Sequence, residues 1–147
     1  MKEIRVETEI DAPPESVWEV LTDFAAYETW NPVFTNADGE LHEGGTVDVD
    51  IETTKLPAAS ITMSIVDVVH NSRLQWIGTV GGSWLFRGVH TFELQALDGD
   101  RTLFVNHERF SGLLVPILTR GLRRDYEAMN RALAERVEGG SAVEVTP

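Results

Sequence analysis

The feature that most constrains this chain is one apolar stripe near its end. Leu114, Leu118, Leu122, Tyr126, Met129, Leu133 and Val137 recur at steps of four, four, four, three, four and four. That is the spacing of a single helix face. Arg120, Arg124, Glu127, Arg131 and Glu135 fall on the opposite face, which therefore looks at water. A helix from Leu114 to Val137, some 24 residues at about 1.5 Å each, makes a rod about 36 Å long. Such a rod must lie on an apolar surface of matching length. The stretch Trp84 to Gly112 supplies strands of that length, since about ten residues span about 33 Å. The expected arrangement is a curved sheet holding the helix, with any space between them as the functional site.

At 147 residues the chain fits one domain with its own core. The domain is expected to cover residues 1–138, followed by a flexible tail over 139–147, where GGSAVEVTP lacks a helical pattern. No apolar run reaches about 18 residues, so no membrane span is expected. The N-terminal MKEIRVETEI alternates like a strand and lacks the apolar block of a signal peptide, which points to the cytoplasm. The absence of cysteine excludes disulfides, thiolate metal sites and cysteine nucleophiles. The net charge of -12 would repel phosphate backbones, which argues against nucleic acid as a partner. With only Lys2 and Lys55 as lysines, this balance fits either an ordinary acidic surface or a host of high ionic strength.

Taken in order, residues 3–10 alternate as a half-buried strand, with Ile4, Val6, Thr8 and Ile10 on one face. In DAPPESVWEVLTDF two prolines preset a helix whose buried side is Val17, Trp18, Val20, Leu21 and Phe24. Asp23 is placed as the cap of a second short helix through Tyr27, stopped by Pro32. Six strands follow, over 33–41, 46–53, 60–69, 73–80, 84–97 and 102–111. The first of these carries more turn chemistry than strand chemistry. The expected fold class is α+β, in the order β-α-α-β6-α with about seven antiparallel strands.

The run Ile10-x-Ala12-Pro13-Pro14-Glu15-Ser16-Val17-Trp18 with Trp30-Asn31-Pro32 resembles the SRPBCC superfamily. Phe86-x-Gly88-x-His90-x-Phe92 and Asn106-x-Glu108-x-Phe110-x-Gly112 extend the resemblance to about residue 138. It implies the helix-grip fold shared with START and birch-pollen-allergen-like proteins, and a hydrophobic cavity between sheet and long helix. Members of that superfamily bind lipids, polyketides, isoprenoids or hormones, and some are polyketide cyclases or dehydrases. No cofactor is implied, and the oligomeric state is left open.

The hairpin around Asp98-Gly99-Asp100 sets its own register. As a three-residue loop it places Phe92 opposite Asn106 and His90 opposite Glu108. Trp84, Phe86, His90 and Phe92 then share one apolar face, and Phe104, Asn106, Glu108 and Phe110 its continuation. Cross-strand Cβ atoms about 5 Å apart allow His90 and Glu108 a direct hydrogen bond. Burial would raise the carboxyl pKa, and a protonated His90 would lower it. The pair fits three readings: two buried polar groups satisfying each other, an anchor orienting a ligand, or a catalytic acid and base. Trp30, Trp76, Trp84, Phe86, Phe92, Asn106, Tyr126 and Met129 complete the expected lining, alongside ordinary core roles. Trp76 depends on turn length, since a two-residue Gly81-Gly82 turn points it away and a three-residue loop points it inward. His107 and Glu108 are adjacent in a strand and point to opposite faces, so no metal site is expected. The helix arginines Arg120, Arg123, Arg124 and Arg131 fit a solvated face or the docking of an acidic partner or lipid headgroups.

Overall fold

The computed structural model describes residues 2–145, with side chains to Gly139. Seven antiparallel strands form one sheet: β1 (Lys2–Ile10), β2 (Phe34–Gly39), β3 (Thr46–Ile51), β4 (Ala59–Val69), β5 (Arg73–Thr79), β6 (Arg87–Leu97) and β7 (Arg101–Ser111). Their spatial order is β1-β7-β6-β5-β4-β3-β2. The chain thus crosses from one edge to the other between β1 and β2, then walks back strand by strand. That crossing is made by helix α1 (Pro14–Thr22) and a 3-10 helix (Phe24–Thr29). Register breaks between Phe34 and Asn36 in β2, and between Ile65 and Asp67 in β4. Bulges of this kind bend a sheet. Here they curl it around the last helix, α3 (Leu122–Val145).

Local chemistry accounts for most of the boundaries. Pro14 stands at the first helical positions of α1, where its missing N–H costs nothing. Asn31 Oδ1 accepts from the backbone N–H of Val33 and Phe34, each at 3.0 Å, and so turns the chain into β2. Asp23 departs from its expected role. It precedes a 3-10 helix, makes no side-chain capping bond, and the helix runs to Thr29 rather than Tyr27.

The long helix also differs from expectation. The stripe holds from Leu122 through Tyr126, Met129, Leu133 and Val137, all buried. Leu114 and Leu118 are not part of it. They belong to a separate turn, where Leu114 precedes the short helix α2 (Val115–Leu118). The break falls at Gly121, whose φ of 65° is left-handed and ends the helical path. The Lys55 stem fills the space that a side chain at Gly121 would take, 2.8 Å from its Cβ position. Beyond Val137 the backbone of α3 continues to Val145. The flexible tail expected over 139–147 ends in residues outside the described ones. No helix among the described residues is long and apolar enough to cross a membrane.

Two consequences for stability separate the two parts of the stripe. Leu133 is fully buried, and Leu133→Ala is expected to cost about 2–5 kcal/mol in denaturant unfolding. Leu118 is half-buried and faces space rather than packed atoms, so Leu118→Ala is expected to cost less than about 1 kcal/mol. Equal losses at both positions would mean that one unbroken helix is the better description.

Candidate functional site

Side chains on the concave face alternate by strand parity. Ile4, Val6 and Ile10 of β1 point inward, as do Phe104, Asn106, Glu108 and Phe110 of β7 and His90 and Phe92 of β6. The β6–β7 hairpin pairs Phe92 with Asn106 and His90 with Glu108, the register expected from its three-residue turn. Trp76 pairs with His90 and is fully buried, so it faces inward. The connection that decides this is longer than either turn considered, since β5 ends at Thr79 and β6 starts at Arg87.

The middle of this face is filled, not hollow. His90 stacks on Phe92 with centroids 4.2 Å apart. Trp76 meets Phe92 edge-on at 5.6 Å and Phe34 at 5.4 Å. Phe92 stacks in turn on Phe104 at 6.1 Å. These rings and Met129 bury one another and form the packed core beneath α3.

Hollow space opens beside this core, toward β3, β4 and β5. A cavity of about 580 Å³ lies between those strands and the first turns of α3. Its walls include Phe34, Ile51, Ile61, Met63, Phe86, Phe110, Leu122 and Tyr126. Two glycines facing each other across β5 and β6, Gly78 and Gly88, leave room at its floor. A Cβ on Gly78 would meet Met63 Sδ at 2.7 Å, and one on Gly88 would collide with Glu108 Oε2. The mouth is rimmed by Leu56 and Pro57 of the β3–β4 loop, Val80 of the β5–β6 loop, and Leu118. Asp125 of α3 ties that rim by accepting from the backbone N–H and hydroxyl of Thr54.

One carboxyl reaches this apolar space. Glu108 lines the cavity and is 7 % exposed. The Tyr126 hydroxyl donates a short hydrogen bond to its Oε1. Behind it a buried chain of polar groups fixes the direction of every proton. Asn130 Nδ2 donates to Val6 O at 3.2 Å and to Thr8 Oγ1 at 3.1 Å. Its Oδ1 therefore accepts, from Asn106 Nδ2 at 3.0 Å. Asn106 Oδ1 is left to accept from His90 Nε2–H at 2.6 Å. An imidazole that donates from Nε2 and stays neutral carries a lone pair on Nδ1. That lone pair faces Glu108 Oε1 at 3.4 Å, too far for a good hydrogen bond, and Nδ1 has no hydrogen-bond partner.

Burial decides both charges. It pushes the His90 pKa down to about 3, against a smaller opposing pull from the Asn106 hydrogen bond. It pushes the Glu108 pKa up to about 7, although the Tyr126 hydroxyl favours the ionised form. Of the two opposing effects expected on the Glu108 carboxyl, burial prevails, because a neutral His90 supplies no charge to lower it. Near neutrality Glu108 exists in both forms, as a donor to a bound oxygen or as an acceptor.

The expected lining residues thus separate into groups. Phe86, Glu108 and Tyr126 line the cavity. Trp76, His90, Phe92, Asn106 and Met129 are buried in the core beneath it, away from its walls. Trp30 packs edge-on against Tyr27 at 5.3 Å and also stays off the walls. Trp84 is a correction: it is 67 % exposed, because Gly81 and Gly82 turn the chain and β6 begins only at Arg87. Strand reasoning missed Ile61 and Met63 of β4 and the β3–β4 loop. The alternation in residues 59–65 was the available signal for the first two. Among the described residues no cluster of three histidine or acidic side chains is placed to hold a metal.

The raised carboxyl makes stability depend on pH in a definite sense. An unfolded Glu108 titrates near its ordinary 4.5, and the folded one at about 7. Below about pH 4.5 both states hold the proton and stability is unaffected. Between about pH 4.5 and 7 the unfolded chain ionises while the folded one keeps its proton, so stability falls. Above about 7 the folded carboxyl ionises as well and stability levels off. Glu108→Gln removes that dependence. Its stability relative to the parent is expected to improve by on the order of 3 kcal/mol between about pH 4.5 and about pH 8. Urea titrations of both proteins measure it, and a difference that stays flat with pH would show that Glu108 is not strained by burial.

Comparison with known proteins agrees with this fold. No curated protein matches the sequence. Among solved structures, the Zhui aromatase/cyclase of Streptomyces superposes with a TM-score of 0.78 at 17 % identity, covering 93 % of each chain. A START superfamily protein from Mycobacterium smegmatis gives 0.76 at 20 % identity, over 93 % of this chain and 97 % of that one. Norcoclaurine synthase from Thalictrum gives 0.71 at 16 % identity, over 95 % and 96 %. At these identities the likeness is one of fold, the helix-grip arrangement. The polyketide cyclase/dehydrase and lipid transport family matches residues 1–138, and the chain belongs to that family.

Proposed function

We propose that this is a cytoplasmic protein that binds a small hydrophobic molecule, such as a lipid, polyketide or isoprenoid, between the sheet and α3. The cavity carries the proposal. Its volume of about 580 Å³ suits a single small molecule. Its walls are aliphatic and aromatic, with Glu108 and the Tyr126 hydroxyl as a polar end. An apolar body with one oxygen at one end satisfies both parts. The compartment rests on the sequence reading alone.

A second reading, a polyketide cyclase- or dehydrase-like enzyme, is favoured by one observation, a carboxyl held at about pH 7 inside the cavity. Sequence reasoning paired His90 with Glu108 as acid and base. His90 lies beneath the cavity wall and is neutral, so in this reading Glu108 exchanges the proton and Tyr126 orients it. His90 then acts only through the packing that holds Glu108 in place.

Native mass spectrometry of protein purified from its own host, followed by solvent extraction, tests the binding proposal. A co-purifying apolar molecule is expected. Ile61→Trp, which fills the cavity from β4, is expected to weaken binding of a fluorescent apolar probe by about tenfold or more. Unchanged probe affinity in a folded Ile61→Trp protein sinks the assignment of the cavity. For the enzyme reading, Glu108→Gln should abolish turnover of a true substrate while leaving its binding within about tenfold.

A further inference from the structure

We propose that the mouth of the cavity is a docking surface for an anionic lipid bilayer. Three aliphatic and aromatic side chains project from this end of the molecule. Leu113 is 72 % exposed, Trp84 67 % and Ile117 48 %. They are structural neighbours: Leu113 N–H donates to Trp84 O at 3.2 Å, and Ile117 N–H to Leu114 O at 3.0 Å. Ile117 adjoins Leu118, which lines the cavity. Apolar tips in water thus run continuously into the apolar interior.

Charge at this end is reversed relative to the rest of the protein. The net charge is -12, yet segments 53–64, 79–92 and 110–124 carry five basic residues and no acidic one. These are the segments that build the mouth. One of the five is Lys55, and the other lysine of the chain, Lys2, lies here as well. Lys2 Nζ bonds Thr119 Oγ1 at 3.0 Å, just behind α2, and the Lys55 stem packs against Gly121 beside an exposed Arg120. The nearest following carboxylate, Asp125, is turned onto Thr54. As a whole the protein would be repelled by an anionic membrane, so only approach by this end is favourable.

The shape favours a bilayer over an acidic protein. A stable protein interface buries roughly 800 Å² per partner around a packed centre. Here separate tips on a loop and a short turn are flanked by long cationic stems, a combination suited to the headgroup boundary. Trp84 has the ring type that prefers that boundary. A bilayer seated on the mouth would also let a hydrophobic molecule pass into the cavity without crossing water. The docking itself is independent of what the cavity holds.

Vesicle flotation with the full chain tests this. Vesicles of phosphatidylcholine with about a third phosphatidylserine are expected to bind at least about tenfold more protein than phosphatidylcholine alone. Binding should fall as salt rises. Trp18 and Trp76 are buried and Trp30 half-buried, so a blue shift of tryptophan emission on binding would report Trp84. The variants Leu113→Ser/Ile117→Ser and Lys55→Glu/Arg120→Glu should each lose about tenfold or more in vesicle binding. Their affinity for a fluorescent apolar probe should stay unchanged, which separates this proposal from the cavity's role. Equal binding to neutral and anionic vesicles overturns the proposal, as does full binding by either double variant. Capture of an acidic protein at this face, with vesicles unbound, also overturns it.

Discussion

The structure depends on the hydrogen bonds that Asn130 makes across the crossing of α3 and β1. Asn130 is fully buried on the helix, and its amide donates to Val6 O and Thr8 Oγ1. An unmet amide in that position would cost about 1–3 kcal/mol, so the contact selects one placement of the helix over near alternatives of similar apolar burial. That placement is eccentric. α3 lies along β1 and α1 at one side of the sheet. Over the far half of the concave face, from β5 to β3, only the first turns of α3 and the end of α2 reach across, and the cavity is the space left beneath them.

Two devices keep the half open. The aromatic rings of β5, β6 and β7 consume one another's surface and do not spill toward β4. Gly78 and Gly88 then withhold side chains at the boundary between packed and hollow regions. The gap at Gly88 is where the Glu108 carboxyl lies. Filling it would displace the carboxyl of the site. The break at Gly121 completes the arrangement, because a straight helix from Leu114 would carry Leu118 along the axis of α3. Turned away as α2, Leu118 becomes part of the mouth instead.

How much of this was legible in the sequence follows from the range of each interaction. The β6–β7 register could be read because a three-residue turn with Gly99 and Asp100 both at positive φ sets it locally. The buried stripe from Leu122 to Val137 could be read because period alone specifies a helix face. Trp84 was misplaced because its direction depends on how the chain leaves Gly82, which strand parity does not encode. His90 was correctly set beside Glu108, but parity names a face and not a depth. Only the three-dimensional packing of Phe34, Trp76 and Phe92 around His90 shows that it lies under the wall. Asn130 escaped notice because a polar residue beside Met129 reads as the edge of the stripe, and its partners lie more than 120 residues away in β1.

Glu108 is costly to the fold, and that cost is informative. A carboxyl raised to about 7 by burial weakens the protein at neutral pH. An apolar residue of similar volume would remove the penalty, as replacements of buried charged groups often do. The surrounding chain does little to relieve the strain. His90 is locked by Asn106 into the tautomer that presents a lone pair to the carboxyl, when the opposite tautomer would have offered a proton. Only Tyr126 favours the ionised form, and it stands on the cavity side. A network built for stability would run the protons the other way. Its direction leaves Glu108 balanced between two protonation states, facing open apolar space, and that is the property a ligand anchor or a proton donor requires.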